Sequence, residues 1–255
     1  MIIEKTFLQQ SAFFAKLSNF AYKTIEEMET QFPEYTISFH SEKGSDIYIL
    51  ENYSDIIIAC RGTEVKQKSD IKADLNVRRM HNVQGKVHTG FHNYVDHIWS
   101  PALEHGQKAK REFKNIWITG HSLGAAMATL LAERFARLNT CQTPAALFTY
   151  GSPRVGNRKF INYFNSLSFT HHRWVNDGDI VTKVPIAPLF YHCGIMHHID
   201  AKGIITVNYE RENTIMKIIR LFMGRYLINN IMGDVKDHGS NLYSMHLHVA
   251  VKYTR

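Results

Sequence analysis

Residues 117–131, WITGHSLGAAMATLL, place one serine between two glycines at the point where an apolar run changes its period. The segment leading into it, Asn115-Ile-Trp-Ile-Thr119, is short, rich in β-branched and aromatic residues and bounded by Gly120, so it reads as a buried strand. From Leu123 onward the chain is rich in alanine, with apolar residues at Leu123, Met127, Leu130, Leu131, Phe135 and Leu138, the spacing of a helix. Ser122 therefore falls on a strand-to-helix turn. Gly120 and Gly124 remove side chains where two backbones must approach, and the first turn of a helix offers free N–H groups and a positive dipole end to an oxygen that gains charge. The N–H of Leu123 is one such donor. By itself a Gly-x-Ser-x-Gly string arises by chance in about one chain in ten of this length. The strand before it and the helix after it favour a nucleophile on a sharp elbow over a plain helix cap.

Outward from the elbow, the pattern predicts a helix over about 7–30, β-rich segments at 35–41, 46–51 and 55–61, a polar connection, and a helix over about 90–112. Beyond the strand at 115–119 and the helix at 123–138 follow a strand at 145–150, a helix near 157–166, a strand at 169–176 and a helical C-terminal third. Apolar strand runs alternating with helices argue for an α/β fold with a mostly parallel sheet covered on both faces. With no internal repeat, no low-complexity block and only six prolines, residues 1–255 read as a single domain.

Composition narrows the function classes. A hydrophobic fraction of 44% and a charged fraction of 21% supply an ordinary globular core. Lys and Arg exceed Asp and Glu by seven, favouring anionic partners such as phospholipid headgroups. No basic tract interleaved with aromatics and no finger or helix-turn-helix pattern points to nucleic acid. Residues 1–24 are interrupted by polar and charged side chains and read as an amphipathic helix, not a secretory signal. The apolar-rich stretch 213–232 contains Lys217, Arg220 and Arg225, too costly for an ordinary membrane span. Cys60, Cys141 and Cys193 are odd in number and lack a Cys-x-x-Cys pair, so they read as free thiols, in keeping with a cytoplasmic protein or one exported without a cleaved signal. The doublets His171-His172 and His197-His198 lack metal-site spacing, and neither a metal nor a cofactor is expected.

Several segments in order resemble the class 3 lipases, the α/β-hydrolase family that includes the fungal triacylglycerol lipases. They are GHSLGAAMA around Ser122, CRGTE at 60–64, KVHTGFHNY at 86–94, TYGSPRVGN at 149–157, NDGDIVTKVP at 176–185 and DHGSNLY at 237–243. The resemblance implies a Ser, Asp, His triad in that chain order, carried by Ser122, Asp179 and His238, and oxyanion donors at Thr63 and Leu123. It also implies a lipid ester substrate.

The residues alone leave competitors. The strand at 169–176 delivers both Asp177 and Asp179 to the sheet edge where ligands bind in open α/β sheets, although Asn176 and Gly178 mark Asp177 as a turn residue. Among fifteen histidines, His246 and His248 are rivals of His238. Arg154 and Asn157 read as polar ties supporting a pocket, Gly90 and Gly151 as points of close backbone approach, and His121 as a packed or hydrogen-bonded elbow residue. Where the fungal lipases carry an apolar lid, residues 64–85 are largely charged, which weighs against strong interfacial activation. The stretch 213–232 is a second candidate for a lid or a membrane-facing helix. The expected activity is hydrolysis of lipid carboxylic esters. A phospholipase A1-type activity on anionic membranes is the alternative, and a non-catalytic binding protein of the same fold is the rival from another class.

Overall fold

The computed structural model describes residues 1–62, 78–82, 84–200, 203–208 and 238–253. In chain order these form α1 (Phe7–Phe20), α2 (Ile25–Gln31), β1 (Thr36–Glu42), β2 (Ser45–Glu51), β3 (Asp55–Cys60), β4 (Arg79–Asn82), β5 (Gly85–His88), α3 (Thr89–His97), α4 (Trp99–Arg111), β6 (Asn115–His121), α5 (Leu123–Arg137), β7 (Ala146–Tyr150), α6 (Arg158–Phe164), β8 (Thr170–Asn176), β9 (Ile195–Ile199), β10 (Ile205–Asn208) and α7 (Ser240–Tyr253). Eight strands join in one sheet in the order β1-β2-β3-β6-β7-β8-β9-β10. From β3 through β9 every neighbouring pair is parallel, while β1, β2 and β10 complete the two ends with antiparallel pairings.

The two-residue period of the strands divides their side chains between two cores. Ile56, Ile58 and Cys60 of β3, Ile116 and Ile118 of β6 and Leu147 of β7 face the layer that holds Phe91, Ala102, Leu130 and Phe160 of α3 to α6. Ile57 and Ala59, Trp117, Phe148 and Tyr150 face the opposite layer, packed on Phe14 and Leu17 of α1, Met28 of α2, and Tyr243 and Leu247 of α7. Strands buried on both faces read as continuous apolar runs, which is why β3, Asp-Ile-Ile-Ile-Ala-Cys, shows no alternation in sequence. Phe14 stacks on Phe148 with ring centroids 4.6 Å apart. Full burial of such a side chain stabilises the fold by about 1.5–3 kcal/mol.

The helix expected over 7–30 is two helices. Thr24 caps α2, its hydroxyl accepting from the N–H of Glu27 while the Glu27 carboxylate accepts from the N–H of Thr24. The helix expected over 90–112 breaks at Ile98, and Pro101, which lacks an N–H, sits in the first turn of α4 where none is needed. The C-terminal third, expected to be helical, instead contributes β9 and β10 before α7, and the polar connection before α3 holds the hairpin β4–β5. The stretch 213–232 lies outside the described residues. Among the described residues, no helix is long and apolar enough to cross a membrane.

Candidate active site

β6 ends at His121 and α5 begins at Leu123, leaving Ser122 to make the whole turn, with φ 58° and ψ −127°. A non-glycine residue seldom adopts that conformation, and here it is held from both sides. The N–H of Ser122 donates to the carbonyl of Tyr150 at 3.0 Å, carrying the β6–β7 ladder one residue past the strand. A Cβ on Gly120 would fall on the carbonyl of Gly124, and one on Gly124 would fall on the carbonyl of Cys60. The two glycines are therefore a spatial requirement of the elbow.

Asp179 follows the C-terminal end of β8 and is fully buried. Its N–H donates to the carbonyl of Asn176 at 3.1 Å, and its Oδ1 accepts the N–H of Val181 at 2.9 Å. His238 lies two residues before α7. Its Nδ1 lies 3.0 Å and 3.1 Å from the two carboxylate oxygens of Asp179, and its Nε2 lies 2.7 Å from Oγ of Ser122. A carboxylate only accepts, so the ring proton sits on Nδ1 and Nε2 is left to accept from the serine hydroxyl. Burial alone would raise the Asp179 carboxyl, but the imidazole of His238 and the hydroxyl of Tyr243 outweigh it and hold the group below its ordinary value. Gly151, at φ 58°, backs this pair so closely that a Cβ there would lie 2.7 Å from Oδ2 of Asp179.

The structure thus brings Ser122, Asp179 and His238 into one hydrogen-bonded chain. Asp177 points elsewhere: it is more than half exposed and lies 3.4 Å from Nε2 of His198. His246 faces Asn176 and His248 is exposed. Leu123 opens α5, where the backbone N–H has no acceptor within the helix. Thr63 lies outside the described residues, as do residues 64–77 of the segment compared with a lid. The turn that leads to Thr63 abuts the elbow, because a Cβ on Gly62 would lie 2.7 Å from the carbonyl of His121.

The surrounding polar residues act as ties. Arg154 donates from its guanidinium to the carbonyls of Lys183 and Pro185, the latter at 3.0 Å, and so anchors the loop that follows Asp179. Oδ1 of Asn157 accepts from the N–H groups of Lys86 and Phe160, joining β5 to the start of α6. The histidine doublets split across the sheet, His171 bonding Thr149 and His172 bonding His197. Among the described residues, no three His, Cys, Asp or Glu side chains gather as metal ligands.

Tyr243 is the partner of Asp179 that sequence reasoning missed. Its hydroxyl donates to Oδ2 of Asp179 at 2.5 Å, across 64 residues of chain, and no local pattern signals such a contact.

Comparison with known proteins fits this geometry. Residues 57–188 match the family described as Lipase (class 3). A lipase of Rhizopus niveus is 33% identical over 159 residues, 58% of this chain and 40% of that protein. A secreted mono- and diacylglycerol lipase of Malassezia globosa is 36% identical over 151 residues, 53% of this chain and 48% of that protein. The chain thus spans less than half the length of these curated relatives. The solved structure of lipase II from Rhizopus niveus superimposes with a TM-score of 0.73 over 91% of this chain and 92% of that one, at 22% identity, so the two share the α/β-hydrolase fold. With more than half of its residues matched to the family and the parallel sheet and serine elbow in place, the chain belongs to the class 3 lipases.

Proposed function

We propose that this protein hydrolyses carboxylic esters of lipids through an acyl-enzyme on Ser122. The observation that carries the reading is the unbroken chain from Oγ of Ser122 through His238 to Asp179, every link between 2.7 and 3.1 Å. His238 takes the serine proton as the hydroxyl attacks the ester carbonyl and returns it to the departing alcohol. Asp179 holds the ring tautomer and stabilises the imidazolium. The N–H of Leu123, with that of Thr63, receives the tetrahedral oxyanion, and water then releases the acid by the same route. The eight strands that join in one sheet support treating residues 1–255 as a single hydrolase unit.

The relatives named above are a lipase and a mono- and diacylglycerol lipase, which favours acylglycerol as the substrate class. The net charge of +7 favours a second reading, phospholipase A1-type hydrolysis at anionic membranes. The test is a hydrolysis screen of mono-, di- and triacylglycerols against anionic and zwitterionic phospholipids, with Ser122→Ala as the blank. Labelling by a fluorophosphonate probe, lost in Ser122→Ala, is expected. A native protein that neither labels nor hydrolyses any of these esters would point instead to a binding protein.

A further inference from the structure

The ring of His121 lies beside that of His238, with centroids 4.6 Å apart, yet its bonds lead away from the serine. Its Nε2 lies 2.7 Å from the backbone carbonyl of His238, and its Nδ1 lies 2.9 Å from the hydroxyl of Tyr22, just past the end of α1. The chemistry assigns each proton. A carbonyl only accepts, so Nε2 carries the ring hydrogen and Nδ1 of the neutral ring must accept, which makes Tyr22 the donor. The sequence Tyr22 O–H to His121 Nδ1, then His121 Nε2–H to His238 O, is therefore directional.

We propose that Tyr22 and His121 are positioning residues that hold the backbone of His238 so that its Nε2 stays in line with Ser122. This rests on the reading of His238 as the base. Three features converge on it. His238 stands two residues ahead of α7, and the side-chain N–H of His121 on its carbonyl ties that backbone to the end of β6. His121 is itself fixed as the last residue of β6, paired in register with Tyr150 of β7. The Tyr22 hydroxyl lies against Gly62, where any Cβ would fall on it, so the same oxygen sits beside the backbone that leads to Thr63. A phenylalanine at 22 would leave the buried Nδ1 of His121 without this donor and let the ring turn away from the carbonyl. The end of α1 thus reaches the base through two side chains separated by 99 residues.

The experiment compares the native chain with Tyr22→Phe, His121→Leu, His121→Gln and Ser122→Ala, using a soluble short-chain nitrophenyl ester and the rate of fluorophosphonate labelling. Tyr22→Phe and His121→Leu are expected to lower kcat and the labelling rate about tenfold, equivalent to about 1.4 kcal/mol, with KM within about twofold. His121→Gln, whose amide nitrogen can replace Nε2–H, is expected to recover most of the loss. Native-like kcat in Tyr22→Phe, a change confined to KM, or equal impairment of the Gln and Leu variants would overturn the proposal. Should His121→Leu not fold, Tyr22→Phe decides alone. A native chain that is neither labelled nor active refutes the serine-hydrolase reading instead, which keeps the two failures apart.

Discussion

The hydroxyl of Tyr243 is shared between Asp179 and the backbone, donating to Oδ2 at 2.5 Å while accepting the N–H of Asn176 at 3.0 Å. One side chain of α7 thus ties down both the end of β8 and the carboxylate hydrogen-bonded to His238. Tyr243→Phe removes both bonds at a fully buried position, and a buried group stripped of its partner costs about 1–3 kcal/mol. We expect a lower urea midpoint together with a fall in kcat of about tenfold. Unchanged kcat in a folded variant would show that Asp179 needs no such support.

The backbone of Ser122 stores strain that a glycine would release. With φ at 58° and ψ at −127°, any Cβ is disfavoured, so Ser122→Gly should be more stable than Ser122→Ala by about 1 kcal/mol. Both variants lack the hydroxyl, so the comparison isolates the backbone. Equal melting temperatures would mean that the turn costs nothing.

A second left-handed residue carries no such chemistry. Phe113 follows Glu112 at the end of α4 with φ 55°, and the N–H of Lys114 bonds the carbonyl of Ala109, a helix stop in which glycine is usual. Its side chain is 94% exposed and buries almost nothing. Phe113→Gly should therefore raise stability by about 1 kcal/mol, measured by urea unfolding. A loss would mean that this ring has an intramolecular role.

Buried neutral histidines set the acid side of the stability profile. Burial, with His238 nearby, pushes His121 down to about 3, and burial with His197 nearby pushes His172 down to about 4, while burial with Arg173 nearby does the same to His197. His171 and His192 are held well below their ordinary value by burial and the Arg173 charge. For each, the unfolded chain binds a proton near pH 6.5 and the folded chain does not. Their contribution is complete above that value and is lost as pH falls from about 6.5 toward 4, by up to about 1.4 kcal/mol per pH unit per histidine. Asp179, held low, acts in the same direction only at more acid pH. Urea midpoints at pH 7 and pH 5 should differ clearly; equal midpoints would contradict this account.

What could be read from the residues followed the range of the contacts. The elbow was legible because strand, glycines and helix lie within about twenty residues, and the resemblance of the flanking motifs pointed to Asp179 and His238. β9 was not legible, because Ile-Met-His-His-Ile looks polar; in the fold His197 stacks on Trp174 at 4.7 Å and is buried by it. The break between α1 and α2 did have a local signal, the pair Thr24 and Glu27, which a continuous apolar period obscured. The partnerships of Tyr22 and Tyr243 had none, since Tyr22 meets His121 only when the end of α1 packs on β6, and Tyr243 meets Asp179 only when α7 packs against the end of β8.

That arrangement also sets when the site can assemble during synthesis. The elbow leaves the ribosome 116 residues ahead of His238, an interval of roughly 6–23 s at ordinary translation speeds of about 5–20 residues per second. Throughout it the nascent chain carries Ser122 without the imidazole of His238 beside it, and only when α7 closes against α1 is the hydrogen-bonded chain from Ser122 to Asp179 complete.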